Sequence, residues 1–200
     1  MNKKKKHQQL LKQIRYAIKN HKVLKLAKCV ENGEKHTLHK SRNEYPDLPP
    51  FKITEADLAQ IKELENFPNP LKKSKWTPFE KIFYAMLWKD GKLKSIKRII
   101  EGITAAFNDG TPSPSKFIFV YHYFGRHLTN RFDEPLVDQH TMRACRLIWK
   151  PKTKGRFTVA DAKIYSTEFL KIKKAENLKT AKDLRLIDSL FFAFGKNAKR

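Results

Sequence analysis

Apolar residues recur every three or four positions through most of the chain, which predicts a protein built from α-helices. The first stripe of this kind lies in residues 8–20 and contains Leu10, Leu11, Ile14, Ala17 and Ile18. Residues 23–30 fit either a short strand or a continuation of that helix. Residues 29–50 have no such period, and their prolines and Asn-Gly pair interrupt helices, so we expect a linker or wrapping segment there.

Start and stop signals divide the rest of the chain into further helices. Residues placed to cap a helix N-terminus are Thr54, Thr77, Asp138, Thr158 and Thr180. The helices they predict, with those between them, cover about 55–66, 78–89, 92–107, 114–128, 139–149, 159–174 and 181–194. Gly195 is a natural helix stop, so the last helix is expected to end there.

The predicted fold class is therefore all-α. We expect a compact multi-helix domain over residues 51–200, preceded by a basic N-terminal helix and wrapping linker over residues 1–50. The pattern shows neither strand–helix alternation nor an internal repeat.

The net charge of the chain indicates what kind of partner it binds. The 200 residues contain 43 Lys+Arg against 20 Asp+Glu, a formal net charge of +23. Such an excess repels itself in a compact fold and is most often retained for binding phosphate polyanions. We therefore expect nucleic acid as the partner, double-stranded DNA first and RNA as the alternative. We expect a monomer in the cytoplasm, associated with the nucleoid, and no membrane association, because no apolar run approaches the ~18 residues of a membrane span.

The charge is concentrated at the N-terminus. Residues 1–30 contain ten Lys/Arg and no acid. The nucleic-acid contacts expected in this arm come from its lysine run, Lys3, Lys4, Lys5 and Lys6. The other interpretation of the run is a solvated terminus that binds nothing.

Two segments carry candidate chemistry. The first, residues 108–116, joins two apolar helices through a turn that contains Gly110 and ends at Lys116. The second, residues 134–143, places Asp138 at the start of a new helix. Catalysis would require Lys116 and Asp138 to converge on one pocket in the folded chain.

These segments resemble the helix-hairpin-helix DNA glycosylase superfamily, in particular its 8-oxoguanine-glycosylase-like branch. The V-D-x-H-x-x-R element of that superfamily is similar to Val137-Asp138-Gln139-His140-Thr141-Met142-Arg143. The start of its second hairpin helix looks like Ser115-Lys116-Phe117-Ile118-Phe119. The resemblance covers roughly residues 76–200. It departs at the hairpin turn, where Gly110 stands alone and Pro112 and Pro114 lack amide donors.

The resemblance implies a helix-hairpin-helix-like element that binds DNA through Gly110, Ser113 and Ser115. It also implies catalysis, with Lys116 as a Schiff-base nucleophile and Asp138 as its charge partner. A lysine amine attacks only when neutral, which burial and neighbouring cations favour. A carboxylate stabilises an oxocarbenium-like sugar once the base has been flipped out of the stack. These roles predict a DNA glycosylase or glycosylase/lyase that excises a damaged or modified base.

Three further residues, His140, Arg143 and Arg146, are predicted to contact nucleic acid. The alternative for His140 is a structural hydrogen bond, and the alternative for the two arginines is an exposed side chain surrounded by water. We expect no cofactor and no metal, because Cys29 and Cys145 are too few for an iron–sulfur cluster. Two other functions stay open. One is a non-catalytic DNA- or RNA-binding helical protein. The other is an interaction protein whose basic arm binds an acidic partner.

Overall fold

The computed structural model describes residues 3–33, 36–45, 52–63, 78–91, 93–108, 119–129, 134–149 and 155–198. Within these ranges all regular structure is helical, which confirms the all-α class. The helices are α1 (Lys3–Lys19), α2 (Val23–Glu31), α3 (His36–Arg42), α4 (Glu55–Glu63), α5 (Pro78–Lys89), α6 (Leu93–Phe107), α7 (Phe119–Thr129), α8 (Gln139–Trp149), α9 (Val159–Ala175) and α10 (Ala181–Asn197). None of them is long and apolar enough to cross a lipid bilayer.

The chain forms two compact units. Unit 1 comprises residues 1–48 and 131–200, and unit 2 comprises residues 49–130. The predicted boundary at residue 50 falls close to the start of unit 2. The N-terminal residues, however, share a unit with the C-terminal helices instead of forming an extension of their own. The physical reason is burial of apolar side chains, since Ile14, Val23 and Leu38 are almost completely inaccessible to water.

Two elements of unit 1 differ from the sequence-based expectation. Residues 23–31 form the separate helix α2, so they are neither a strand nor a continuation of α1. Residues 36–42, expected to be part of a linker, form helix α3, which packs against α10. A helix of seven residues has little stability by itself, so tertiary packing decides its structure.

Helix α10 is the centre of unit 1 and contacts α8, α3 and α2. The expected stop at Gly195 is wrong, because α10 continues through Asn197. Gly195 instead allows α8 to approach closely. A Cβ atom built on it would lie 2.7 Å from the carbonyl carbon of His140 and closer still to the carbonyl oxygen. Only a residue without a side chain fits at this crossing.

Three predicted threonine caps are confirmed. The Thr158 hydroxyl accepts from the amide of Asp161, whose carboxylate accepts from the Thr158 amide at 2.8 Å, a capping box at the start of α9. The Thr180 hydroxyl accepts from the Asp183 amide at 3.1 Å. The Thr54 hydroxyl accepts in the same way from Asp57 at 3.2 Å. The cap predicted at Thr77 lies outside the described residues.

A carboxylate from another helix caps α2. Glu176, which follows α9, accepts the amide of Val23 at 2.5 Å through Oε1 and the amide of Leu24 at 2.9 Å through Oε2. These two amides would otherwise lack intrahelical partners, and a negative charge is favourable at a helix N-terminus. Glu176 therefore fixes α2 to the end of α9.

Replacing Glu176 with alanine is expected to lower the free energy of unfolding by about 1–2 kcal/mol, the usual cost of losing a helix cap. Urea denaturation followed by circular dichroism measures this change. Glu168→Ala is the control, because Glu168 only pairs with the exposed Lys171 on the same helix and should cost less than about 0.5 kcal/mol. Equal losses in the two variants would contradict the cap.

Unit 2 is organised around the pair α6 and α7. Two glycines let these helices touch: a Cβ on Gly102 would lie 2.8 Å from the carbonyl carbon of His122, and one on Gly125 would lie 3.0 Å from that of Ile99. The amide of Ile53 donates to the carbonyl of Leu128 at 3.0 Å and fixes the start of this unit on α7. The start predicted for α7 near residue 114 lies outside the described residues.

Candidate nucleic-acid interface

A tight turn folds α1 back beside α2 within unit 1. The amide of Lys22 donates to the carbonyl of Ala17 at 2.9 Å, and the amide of His21 donates to Ile18 at 3.4 Å. His21 has a φ of 54°, the left-handed conformation in which this type of helix ending is closed. The turn thus joins two helices that together carry nine Lys/Arg side chains and one acid, and the turn itself adds Lys22.

The inner face of this helix pair is fixed to the body of the unit. Ile14 and Ala17 of α1 and Ala27 of α2 are buried. The His7 ring stacks on Phe194 of α10 with 4.9 Å between ring centroids. The Arg15 guanidinium donates to the carbonyl of Leu147 in α8 at 2.8 Å. Helix α1 is therefore an integral element with one face committed to packing and the other presented to solvent.

The outer face contains a groove of about 560 Å³ between α1 and α2. Its floor is apolar, with the buried Ala17 beside Leu26 and Cys29. Its walls are polar or basic and consist of Gln9, Lys12, Gln13, Tyr16, Lys22 and Lys25. Among the described residues, none that lines this groove is acidic. The groove therefore combines an apolar floor with walls that carry positive charge and amide groups.

Lysines extend along α1 beyond the groove. Lys5, Lys12 and Lys19 are exposed and follow one another at intervals of seven residues. Seven residues are almost two helical turns, so the three side chains share one side of α1 and are about 10 Å apart along its axis. Such a line of positive charge matches an extended phosphate backbone better than a single anion.

Tyr16 has the most exposed large apolar side chain in the described part of unit 1. Its side chain is 61% exposed, although it lies one residue before the buried Ala17. An exposed aromatic ring beside lysines is typical of surfaces that bind nucleic acid. Sequence reasoning missed Tyr16 because it lies among the apolar residues of the α1 stripe, and the sequence does not show that its ring is exposed.

The lysine run at the N-terminus is partly described. Residues 3–6 belong to α1, and the side chains of Lys5 and Lys6 are exposed. The side chains of Lys3 and Lys4 lie outside the described part. The run thus begins a folded helix, and its nucleic-acid contacts stay a prediction.

The predicted hairpin turn is not among the described residues. Gly110, Ser113, Ser115 and Lys116 all fall in the range 109–118, outside the described part of the chain. The helices on either side of it, α6 and α7, are present and pack against each other. The helix-hairpin-helix element and the nucleophilic role of Lys116 therefore stay predictions.

Asp138 is a helix cap in this structure. Its Oδ1 accepts the amides of His140 and Thr141, each at 2.7 Å, and its own amide donates to the Thr141 hydroxyl at 2.8 Å. These contacts hold the start of α8, the cap that the sequence predicted at this position. The catalytic role assigned to Asp138 needs Lys116 nearby, so base excision likewise stays a prediction.

His140 and Arg143 lie on α8 near the C-terminal end of α10. The Arg143 guanidinium donates to the carbonyl of Gly195 at 2.8 Å and lies 3.3 Å from His140 Nδ1. The His140 ring meets Phe192 edge to face, with 4.9 Å between ring centroids. A cation is favourable at a helix C-terminus. Both residues join helices in this structure, and their contacts with nucleic acid stay predictions.

The structure corrects the prediction for Arg146. Its side chain is buried, and its guanidinium pairs with the Asp161 carboxylate at 2.7 Å, donates to the carbonyls of Gly155 and Arg156, and lies over the Phe157 ring. Burial by itself raises the pKa of Asp161, but hydrogen bonds from Arg146 and Thr158 outweigh it and lower the pKa. Arg146 therefore has a structural role, because its side chain is buried and its Nη1 and Nη2 groups donate to acceptors inside the protein.

Sequence reasoning also missed a buried carboxyl group, Asp188, in the middle of α10. Asp188 accepts hydrogen bonds from the Tyr45 hydroxyl at 2.8 Å, the Leu136 amide at 2.9 Å and the Tyr165 hydroxyl. Burial raises its pKa to about 6, the three hydrogen bonds oppose the rise, and the charge of Asp138 adds to it. The signal was an acid inside the apolar run of residues 184–194. Its partners come from three other parts of unit 1.

Metal binding has no support in the described part of the chain, where no group of three or more His, Cys, Asp or Glu side chains converges.

The fold and its basic groove define an all-helical protein with a candidate nucleic-acid interface. The chain matches no family model, no curated protein and no solved structure.

Proposed function

We propose that the protein binds nucleic acid through the outer face of α1 and α2, with DNA as the expected ligand. The observation that carries this proposal is the groove between these helices, which is lined by three lysines and, within the described residues, by no acid. Each lysine that neutralises a phosphate releases condensed counterions, so binding of this kind gains free energy from charge.

Burial and capping support this choice of surface. The inner face of α1 and α2 is used for packing, as Ile14 and Val30 show, so the lysines of the outer face are held in place by the fold. The N-terminus of α2 already binds the Glu176 carboxylate and offers no second anion site. Phosphate contacts are therefore expected from side chains, not from helix amides.

Neutralising the groove lysines tests the proposal. The triple change Lys12→Gln, Lys22→Gln and Lys25→Gln is expected to weaken DNA binding about 100-fold at low salt, since each ion pair in water is worth about 1 kcal/mol. The slope of log affinity against log salt concentration should also become shallower by about three, one for each phosphate that is no longer neutralised. Fluorescence anisotropy with a labelled DNA strand at several salt concentrations measures both quantities.

The matched control is Lys81→Gln, Lys89→Gln and Lys97→Gln. These lysines are exposed residues of unit 2 and line no part of the groove, and their removal changes the net charge by the same amount. We expect the control triple to bind within a few-fold of the unchanged protein. Equal losses from the two triples would mean that net charge alone attracts DNA, and this would overturn the assignment of the groove. A flat salt response of the unchanged protein would overturn phosphate-led binding itself.

A further inference from the structure

We infer that the groove between α1 and α2 binds an unpaired base of a nucleic-acid strand, stacked on the Tyr16 ring, while Lys12, Lys22 and Lys25 contact the flanking phosphates. This inference rests on the proposed function and narrows it to strands with unpaired bases.

The first support is the position of Tyr16. Its ring is mostly in water and lines the groove, whereas the positions that build the core next to it are Ile14 and Ala17. An aromatic face left in water gains by stacking on another flat ring. Every base has such a face, so stacking on tyrosine tolerates all sequences.

The second support is the chemistry of the walls. Gln9 and Gln13 bring amide groups to the groove on the same side of α1 as Tyr16, and amides both donate and accept hydrogen bonds. The lysines stand around these amides, so a base can lie inside and its phosphates outside. At about 560 Å³ the groove falls within the range of about 300–1,000 Å³ typical of small-molecule sites, which is room for a base with its sugar.

The third support is the geometry of duplex DNA. Paired bases stack on one another and expose only their edges in the two grooves. A tyrosine ring on the side of a helix cannot stack between them unless the duplex is opened. Only a strand whose bases are unpaired can therefore place a base inside this groove and stack it on the Tyr16 ring.

The test compares Tyr16→Ala with the unchanged protein on three labelled probes: an oligothymidylate strand, an abasic strand of the same length, and a duplex. Tyr16→Ala is expected to weaken binding of the oligothymidylate about 10- to 100-fold, the usual effect of removing one stacking ring. Binding of the abasic strand and of the duplex should change by less than about two-fold, because their phosphates still meet the lysines. An oligouridylate strand shows whether RNA is bound as well as DNA.

Two variants control for other causes. Tyr16→Phe keeps the ring and should retain binding of the oligothymidylate within about three-fold. Leu170→Ala removes a large exposed apolar side chain from α9 of the same unit and should leave all three probes unaffected. Circular dichroism and thermal denaturation verify that each variant folds, which is expected because both side chains are exposed.

Each outcome decides between the two proposals. If Tyr16→Ala binds the oligothymidylate as well as the unchanged protein does, or loses the abasic strand equally, stacking is wrong and phosphate binding survives. If polyglutamate displaces the labelled oligothymidylate as effectively as unlabelled oligothymidylate does, the groove selects negative charge alone and the inference fails. If the unchanged protein binds none of the probes in a salt-dependent way, the proposed function fails with it.

Discussion

Gly195→Ala is expected to lower the free energy of unfolding of unit 1 by about 3 kcal/mol or more, although alanine is the better helix former. Intrinsic helix propensity alone would predict a gain of about 1 kcal/mol for this change. The added Cβ, however, would lie 2.7 Å from the carbonyl carbon of His140 and 3.1 Å from the amide nitrogen of Ala144. Backbone atoms cannot rotate away as a side chain can, so α8 and α10 must move apart.

The consequence reaches beyond this one crossing. Helix α10 packs on α8, α3 and α2, and its residues Ile187, Leu190 and Phe194 are fully buried. Separating α8 from α10 opens a well-packed core, and proteins with a net stability of about 5–15 kcal/mol tolerate few such changes. Because α2 also rests on α10, the groove between α1 and α2 depends on this crossing.

Urea denaturation followed by circular dichroism measures the effect, with Thr167→Ala as the control. Thr167 is exposed on α9, and its change should alter the free energy of unfolding by less than about 0.5 kcal/mol. The sign of the Gly195→Ala effect is decisive, because packing and propensity predict opposite directions. A variant that is as stable as the unchanged protein would contradict the close approach of α8 and α10.

The second large effect is a loss of stability as pH rises from about 4 to about 6. The pKa of Asp188 is raised to about 6 in the folded protein from the ordinary value of 3.8, chiefly by burial. Between these two pH values the folded protein keeps the proton while the unfolded chain has lost it. Unfolding therefore releases a proton, and the free energy of unfolding decreases as pH rises.

The size of this effect follows from the shift. About two pH units correspond to about 3 kcal/mol, present in full below pH 4 and lost once the pH has risen through about 6. Asp188→Asn removes the titrating group, so the difference in stability between the unchanged protein and this variant should change by about that amount over the same interval. Taking the difference cancels the contributions of the other carboxyl groups.

Denaturation curves at several pH values between about 3 and 7 check this expectation, with Glu168→Gln as the control. Glu168 pairs with Lys171 on the surface of α9, away from the Asp188 hydrogen bonds, and its change should leave the pH dependence of stability unaltered. A constant difference between the unchanged protein and Asp188→Asn across this interval would show that Asp188 keeps an ordinary pKa in the fold.

Helix positions were largely predictable where the signals are local. Helices α5 and α8 have the predicted bounds, and the caps at Thr158 and Thr180 form as expected. A cap works through hydrogen bonds to amides two or three residues away, so its residues are neighbours in sequence. Helix α3 was not predicted, because its structure depends on packing against α10, which is more than a hundred residues distant.

The candidate site divides in the same way. The ten basic residues near the N-terminus can be read directly from the sequence, and they are the reason for proposing nucleic acid as the partner. The groove was not visible, since it needs the turn at His21 to bring Lys12 of α1 beside Lys25 of α2. Arg146 shows the opposite error: its charge suggested a phosphate contact, and only the position of Asp161 reveals that the guanidinium is used internally.

Periodicity and caps thus determined the all-helical class and most helix bounds, and charge is the basis for proposing a polyanionic partner. Each of these depends on residues within about four positions of one another, or on totals over the whole chain. The crossing at Gly195, the hydrogen bonds of Asp188 and the groove at Tyr16 were decided by tertiary structure. They arise where helices distant in the chain meet, and no local pattern records which helices those are.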